Sequence, residues 1–276
     1  MMDSLPSIHC GDETKLIPIY ISGLNIRNDG NYWNGLTKEA FDAGMKAFIY
    51  EILERHGNYS PILCAKDPTI TKSTTYLSEL FPTSKFILMI RDARAIIPSI
   101  VFRGVSLGGF SRDMRENFII WNSMMENMYS QCIIVGKERC LPVYYEQLVL
   151  HPEKEMRNIF KFLNIEWNDA VLHHEDYFHK KIQLSDQAKS ADQVIKPVNL
   201  EGLYDWVGKI PKELLEELDS IAPMLKELGY DTKSEKPNYG KPDQKILDNT
   251  FNIKANPEKW NELKKNFSIY ARNNLV

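Results

Sequence analysis

The run Lys85-Phe86-Ile87-Leu88-Met89-Ile90, bounded by Pro82 on one side and Arg91-Asp92 on the other, constrains the fold most. A short apolar run without polar alternation is the pattern of a strand buried on both faces of a parallel sheet. Parallel strands need crossover connections, usually helices, and the chain supplies them on either side. Positions 37–56 carry Phe41, Met45, Phe48, Ile49, Ile52 and Leu53 on one helical face, with Thr37 as N-cap and Gly57 as stop. Ile62-Leu63-Cys64-Ala65 reads as a short strand running into Lys66-Asp67-Pro68, and 71–80 as a helix. Another helix is expected from about Ala93, and one over 112–134 with Phe118, Trp121, Met125, Met128 and Cys132 at helical spacing. Leu141-Pro142-Val143-Tyr144-Tyr145 reads as a strand, and Pro152 opens a helix bearing Met156, Ile159, Phe160 and Leu163. Strands alternating with helices imply an α/β fold.

The rest of the chain is less regular. No strand is expected before the first loop. Positions 185–198 are polar and irregular, long enough for a functional loop, and 211–228 returns to a helix with a kink at Pro223. Beyond Tyr230 the composition predicts a surface-draped tail with one terminal helix. A length of 276 residues suffices for one sizeable core. A net charge of -3 excludes a face-wide basic coat for nucleic acid. No stretch approaches the roughly 18 apolar residues of a membrane span, and no signal-like segment opens the chain. Cys10, Cys64, Cys132 and Cys140 lack Cys-x-x-Cys spacing. Two states remain open for them: disulfides, with Cys132 and Cys140 flanking a turn at Gly136, or four buried thiols.

Chemistry concentrates at predicted strand ends, where open parallel sheets bind ligands. Lys66-Asp67 follows one strand and Arg91-Asp92 another. Two cations so placed suit an anionic ligand, while ion pairing with the adjacent aspartates would merely close the sheet edge. In a helix over 95–103, Ser99 and Arg103 share a face. That face could grip a phosphate or simply be solvated. His173-His174 with Glu175-Asp176 does not form a metal site by spacing, because neighbouring helical positions diverge.

Six runs in order resemble the tyrosylprotein sulfotransferase family: Cys10-Gly11-Asp12-Glu13-Thr14-Lys15-Leu16-Ile17-Pro18, Cys64-Ala65-Lys66-Asp67-Pro68, positions 86–103, positions 143–153, Asp192-Gln193-Val194-Ile195-Lys196-Pro197-Val198-Asn199, and Pro237-Asn238-Tyr239-Gly240-Lys241-Pro242-Asp243. The resemblance implies a Golgi-luminal, membrane-anchored homodimer. Such an enzyme moves a sulfuryl group from 3′-phosphoadenosine 5′-phosphosulfate to tyrosines in acidic protein segments, without a metal and without nucleic acid as a partner. It implies the family's three-layer, P-loop-like α/β sulfotransferase fold. Glu13 matches the general base, Lys66 the cation at the transferring group, and Ser190 a residue of similar role. Arg91, Ser99 and Arg103 match the grip on the donor's 3′-phosphate. Tyr145 and the loop Ser190, Ala191, Asp192, Gln193, Val194, Ile195, Lys196, Pro197, Val198 and Asn199 match its other contacts. Lys15, Leu16, Ile17, Pro18 and Ile19 match the region facing the acceptor peptide. The family pairs Cys10 with Cys64 and Cys132 with Cys140.

The sequence also departs from the family. Members open with a strand and a Pro-Arg-Ser-Gly-Thr-Thr-like loop whose backbone N–H groups hold the donor's phosphosulfate. No counterpart precedes Gly11, so the expectation is a catalytic domain over 1–250 incomplete at its N-terminus, followed by a helical tail over 251–276. Poor or dimer-dependent stability is expected on that account. Asp205 stands where the family has a lysine near the donor, and Ile19 replaces a second cation near the peptide. The alternatives are a donor-impaired pseudoenzyme that only associates with partners, and a sulfotransferase for another acceptor. Asn266-Phe267-Ser268 and, less favourably, Asn58-Tyr59-Ser60 are glycosylation acceptors by pattern.

Overall fold

The computed structural model describes residues 1–10, 13–14, 16–23, 36–55, 60–104, 109–177 and 191–273, and their side chains except those of 22–23, 191–192 and 266–273. In chain order the first elements are β1 (Ile8–His9), α1 (Leu16–Gly23), α2 (Lys38–Arg55), β2 (Ile62–Leu63), α3 (Thr74–Leu80), β3 (Phe86–Ile90) and α4 (Ala93–Arg103). Next come α5 (Met114–Val135), β4 (Cys140–Tyr144), α6 (Tyr145–Leu150), α7 (Pro152–Leu163), α8 (Ala191–Val194) and α9 (Glu201–Tyr204). The chain ends in α10 (Lys212–Ile221), α11 (Met224–Glu227), α12 (Gln244–Ala255) and α13 (Pro257–Asn273). β1 and β2 pair in parallel, Ile8 opposite Ile62 and His9 opposite Leu63, and β3 pairs with β4. No described helix is long and apolar enough to cross a membrane.

The chain divides into two compact units. The first comprises Met1–Phe86, Gln131–Leu141 and Asn168–Gln183. Its core joins three helices: Ile17 and Ile21 of α1, Met45 and Ile49 of α2, and Leu77 and Leu80 of α3. Each pair sits three or four residues apart, so each helix turns one apolar stripe inward. Thr37 Oγ1 accepts from Ala40 N at 3.2 Å, the expected cap on α2. The Arg139 guanidinium donates to the carbonyls of Ser78, Phe81 and Ser84 at 2.8–3.2 Å, which satisfies acceptors that the end of α3 leaves open. The Cys132–Cys140 disulfide closes the turn at Gly136, whose φ of 89° favours glycine.

The second unit comprises Ile87–Ser130, Pro142–Trp167 and Leu184–Val276. Phe118, Trp121, Met125 and Met128 of α5 are buried as their spacing requires, and so are Met156, Ile159 and Phe160 of α7. At the β3–α4 junction the Asp92 carboxylate is fully buried. It accepts from Arg94 N at 2.8 Å, from Arg94 Nη2 at 2.7 Å and from Tyr239 Oη at 2.8 Å. Arg94 Nη1 reaches the carbonyls of Asp231 and Ser234 at 2.8 and 3.1 Å, with the guanidinium 4.6 Å from the Trp206 ring. Asp92 N donates to Glu146 Oε1 at 2.8 Å, and Tyr230 Oη donates to Glu146 Oε2 at 2.9 Å.

Five expectations are corrected. β1 does precede the first loop; two residues of Ile and His carry no strand period, and only the partner β2 makes them a strand. Met89 is 44 % exposed, so β3 is not apolar on two buried faces; Leu88 and Ile90 point to the covered side. The expected helix over 71–80 begins as a 3-10 turn, Ile70–Ser73, before α3. Pro223 does more than kink its helix: α10 stops at Ile221 and α11 restarts at Met224, because proline removes a ladder N–H. The tail holds two helices, α12 and α13, where one was expected. Gly57 and the Asn58 acceptor lie outside the described residues, as does the Asn266 side chain.

Two predictions follow from the buried network. Arg94→Met strands the Asp92 carboxylate without its cation and should cost about 3–5 kcal/mol in urea unfolding. Burial above all, opposed by the bonds from Asp92 N and Tyr230 and reinforced by the charge of Asp92, raises the Glu146 pKa above its ordinary 4.5. The native state therefore keeps this proton where the unfolded chain has released it. Stability from this group is complete below the ordinary value and is lost as pH rises through the native one. Glu146→Gln should remove that downward slope, measured as urea midpoints between about pH 4 and 8.

Candidate active site

The candidate residues fall on both units. In the first, β1 and β2 run parallel, so their carboxyl ends lie at the same edge. Ile62 N donates to Ser7 O at 3.1 Å and Cys64 N to His9 O at 3.0 Å, which carries the pairing beyond the strands on both sides. At that edge Cys10 and Cys64 form a disulfide, with Cα atoms 4.3 Å apart. Cys10 N also donates to Asp3 Oδ1 at 2.7 Å. Glu13 is the third residue after Cys10 and Lys66 the second after Cys64, and both are exposed. One cross-link thus anchors the two segments that carry the carboxylate and the ammonium. Asp67 Oδ1 accepts from Thr69 N and Thr69 Oγ1, both at 2.8 Å, so this aspartate opens the following turn. Among the described residues no ion pair joins Lys66 to Asp67.

The apolar stretch after Glu13 forms α1. Ile17 is buried in the first unit's core and Pro18 half-buried, whereas Leu16 and Ile19 are 47 % and 61 % exposed. Leu16 and Ile19 lie one turn apart, so α1 turns an apolar strip outward as well as inward. Lys15 lies outside the described residues.

In the second unit, Arg91 follows β3 directly. Its guanidinium lies 4.5 Å from the Tyr145 ring, and its Nη2 donates to Gly202 O at 2.6 Å. Its Nε is buried and has no acceptor among the described residues. A buried N–H left unpaired costs about 1–3 kcal/mol, and an anionic oxygen is the natural acceptor for a guanidinium. Asp92 is spent on Arg94, so it does not neutralise Arg91. Ser99 and Arg103 lie four apart on α4, both half-buried, as their spacing implied. Of the polar loop, Ser190 and the side chains of Ala191 and Asp192 lie outside the description. Gln193 and Val194 are half-buried in α8, and Ile195 is buried. Lys196 pairs with Glu201 at 2.8 Å. Pro197 O accepts from Asn199 Nδ2 at 2.9 Å, and Val198 O accepts from Asn249 Nδ2 at 3.0 Å. Asp205 is exposed.

Two participants escaped the sequence reading. The Gly202 carbonyl has no side-chain signal at all. Glu201 carried a weak one: Asn199 two positions earlier is a turn-forming residue, and its Oδ1 accepts from Glu201 N at 3.0 Å. In the first unit, His174 Nδ1 lies 3.5 Å from Glu175 Oε2. No cluster able to hold a metal ion occurs among the described residues.

The comparisons with known sequences agree on one family. The model of the Sulfotransferase family matches residues 1–169. Protein-tyrosine sulfotransferase A of Caenorhabditis elegans is 46% identical over 270 residues, covering 94% of this chain and 70% of that protein. Protein-tyrosine sulfotransferase 1 of Danio rerio is 47% identical over 270 residues, covering 95% and 76%. Its Homo sapiens counterpart is 48% identical over 265 residues, covering 92% and 71%. Among solved structures, the sulfotransferase domain from the curacin biosynthetic pathway superposes with a TM-score of 0.51 at 20% identity. It covers 66% of this chain and 68% of that domain, and shows the shared α/β fold.

The staple at the strand ends generates one prediction. A cross-link across 54 positions restrains the unfolded chain by about 4 kcal/mol, so Cys10→Ala/Cys64→Ala should lower unfolding free energy by roughly that amount. Denaturant titration of oxidised wild type against the double variant measures it.

Proposed function

Because the chain belongs to the protein-tyrosine sulfotransferases, we propose that it transfers a sulfuryl group to tyrosine hydroxyls within acidic segments of other proteins. The donor is 3′-phosphoadenosine 5′-phosphosulfate, which supplies the sulfuryl group as an activated phosphosulfate. The orphaned Nε of Arg91 fits such an anion. Arg91, Ser99 and Arg103 hold its 3′-phosphate, Tyr145 orients Arg91, and the loop over 190–199 completes the donor site.

Glu13 accepts the phenolic proton. A phenol of pKa about 10 is a weak nucleophile at neutral pH until a positioned base takes that proton. Lys66 places an ammonium where negative charge grows on the bridging oxygen, and Ser190 takes a similar role. Sulfuryl transfer rests, like phosphoryl transfer, on alignment and charge rather than on covalent chemistry by the protein. The observation that carries this reading is the shared parallel edge, stapled by Cys10–Cys64, from which the segments of Glu13 and Lys66 both emerge. The segment of Lys15, Leu16, Ile17, Pro18 and Ile19 faces the acceptor through the exposed Leu16 and Ile19, while Ile17 turns into the core instead. Residues 1–250 are the catalytic region of this reading and 251–276 its tail.

We place the enzyme in the Golgi lumen as a membrane-anchored, glycosylated homodimer. The two formed disulfides support an oxidising compartment, since such bonds are rare in the cytosol. The test uses radiolabelled donor and an acidic tyrosine peptide. Glu13→Gln and Lys66→Ala should each lower turnover by about 100-fold or more, with nucleotide binding kept in Glu13→Gln. Transfer at the wild-type rate by Glu13→Gln would remove the base assignment.

A further inference from the structure

The donor grip contains an element that cannot hold itself in place. α9 spans four residues, Glu201–Tyr204, too short to persist alone. Yet its Gly202 carbonyl takes one side of the Arg91 guanidinium while the Tyr145 ring covers another. A Cβ at 202 would meet Tyr145 Oη at 3.5 Å and Arg91 Nη2 at 3.7 Å, ordinary contacts, so the backbone carbonyl and not the missing side chain is what this position contributes. The position of this turn must therefore be imposed from outside.

Besides the bond from Asn249 Nδ2 of α12 to Val198 O, three restraints do so. Leu203 is buried in an apolar cluster with Val149 and Leu150 of α6. Leu200 N donates to Thr250 Oγ1 of α12 at 3.1 Å. The third is ionic: Lys196 Nζ lies 2.8 Å from Glu201 Oε2, their side chains 16 % and 24 % exposed. Both residues line a cleft of about 210 Å³ walled by Ile253 of α12 and Trp260 of α13. Lys196 is thus committed to its carboxylate partner and to that cleft.

We propose that Lys196 and Glu201 are positioning residues: their ion pair is a clasp that closes the segment 196–201 and fixes the Gly202 carbonyl against Arg91. The inference rests on Arg91 being the donor-phosphate residue of the proposed function. On this account Lys196 serves the donor through Glu201, α9 and Arg91, not by touching it.

A double-mutant cycle tests the clasp, with full-length wild type, Lys196→Met, Glu201→Gln and the double variant titrated calorimetrically with 3′-phosphoadenosine 5′-phosphate. Each single change should weaken nucleotide binding about fivefold, the worth of roughly 1 kcal/mol for a partly buried pair. The double variant should lose no more than either single one. Donor KM should rise with kcat unchanged, and Glu201→Asp should recover part of the loss, which a merely unfolded variant would not. Additive losses, a far larger loss in Lys196→Met than in Glu201→Gln, or unchanged or tighter binding in Glu201→Gln would overturn the clasp alone. Wild-type protein that binds no nucleotide would overturn the donor assignment and the clasp with it.

Discussion

The burial of Asp92 governs the second unit. A carboxylate removed from water must have its charge matched and its lone pairs filled, or it neutralises or the fold fails. Here Arg94 supplies the charge and three donors, Tyr239 supplies a hydroxyl, and the backbone N–H of Asp92 is taken by Glu146. Glu146 is itself a buried acid without a cation, and it accepts from Asp92 N and the Tyr230 phenol. The cost is large, and the return is rigidity. Residues from the end of β3, the start of α6 and positions 206–239 are held in one arrangement. Arg91 stands next to that anchor, and because Asp92 is taken by Arg94 its charge is not neutralised by its neighbour.

Both candidate clusters obey the same topological rule, reached by different means. In the first unit two very short strands fix their common edge with the help of a covalent bond. In the second a longer strand ends in a polar knot. A two-residue strand pair contributes few ladder bonds, so the disulfide supplies the restraint that backbone pairing lacks. The charged groups that follow, Lys66 and Arg91, are excused from pairing because local partners absorb their neighbours: Thr69 engages Asp67, and Arg94 engages Asp92.

Much of this was legible beforehand, for physical reasons. The helical period placed Phe118, Trp121, Met125 and Met128 in the core, because a long amphipathic helix repeats its signal many times. Ser99 and Arg103 were readable as one face for the same reason. β1 was not readable, since a two-residue strand exists only through its partner more than fifty positions away. The destination of Arg94 was equally hidden. Its acceptors lie 137 and 140 residues downstream and are backbone carbonyls, which any residue could offer. Gly202 illustrates the limit: its contribution is a carbonyl oxygen that every residue possesses.

The ring closed by Cys10 and Cys64 bears on the order in which the protein is made. The ring and the β1–β2 pairing beside it both lie within residues 8–64. That segment can therefore oxidise and settle while the rest of the chain is still on the ribosome. Arg94, by contrast, waits for carbonyls at positions 231 and 234. Synthesis thus completes the edge that carries Glu13 and Lys66 well before the knot that steadies Arg91, and nascent chains stalled midway would hold the former without the latter.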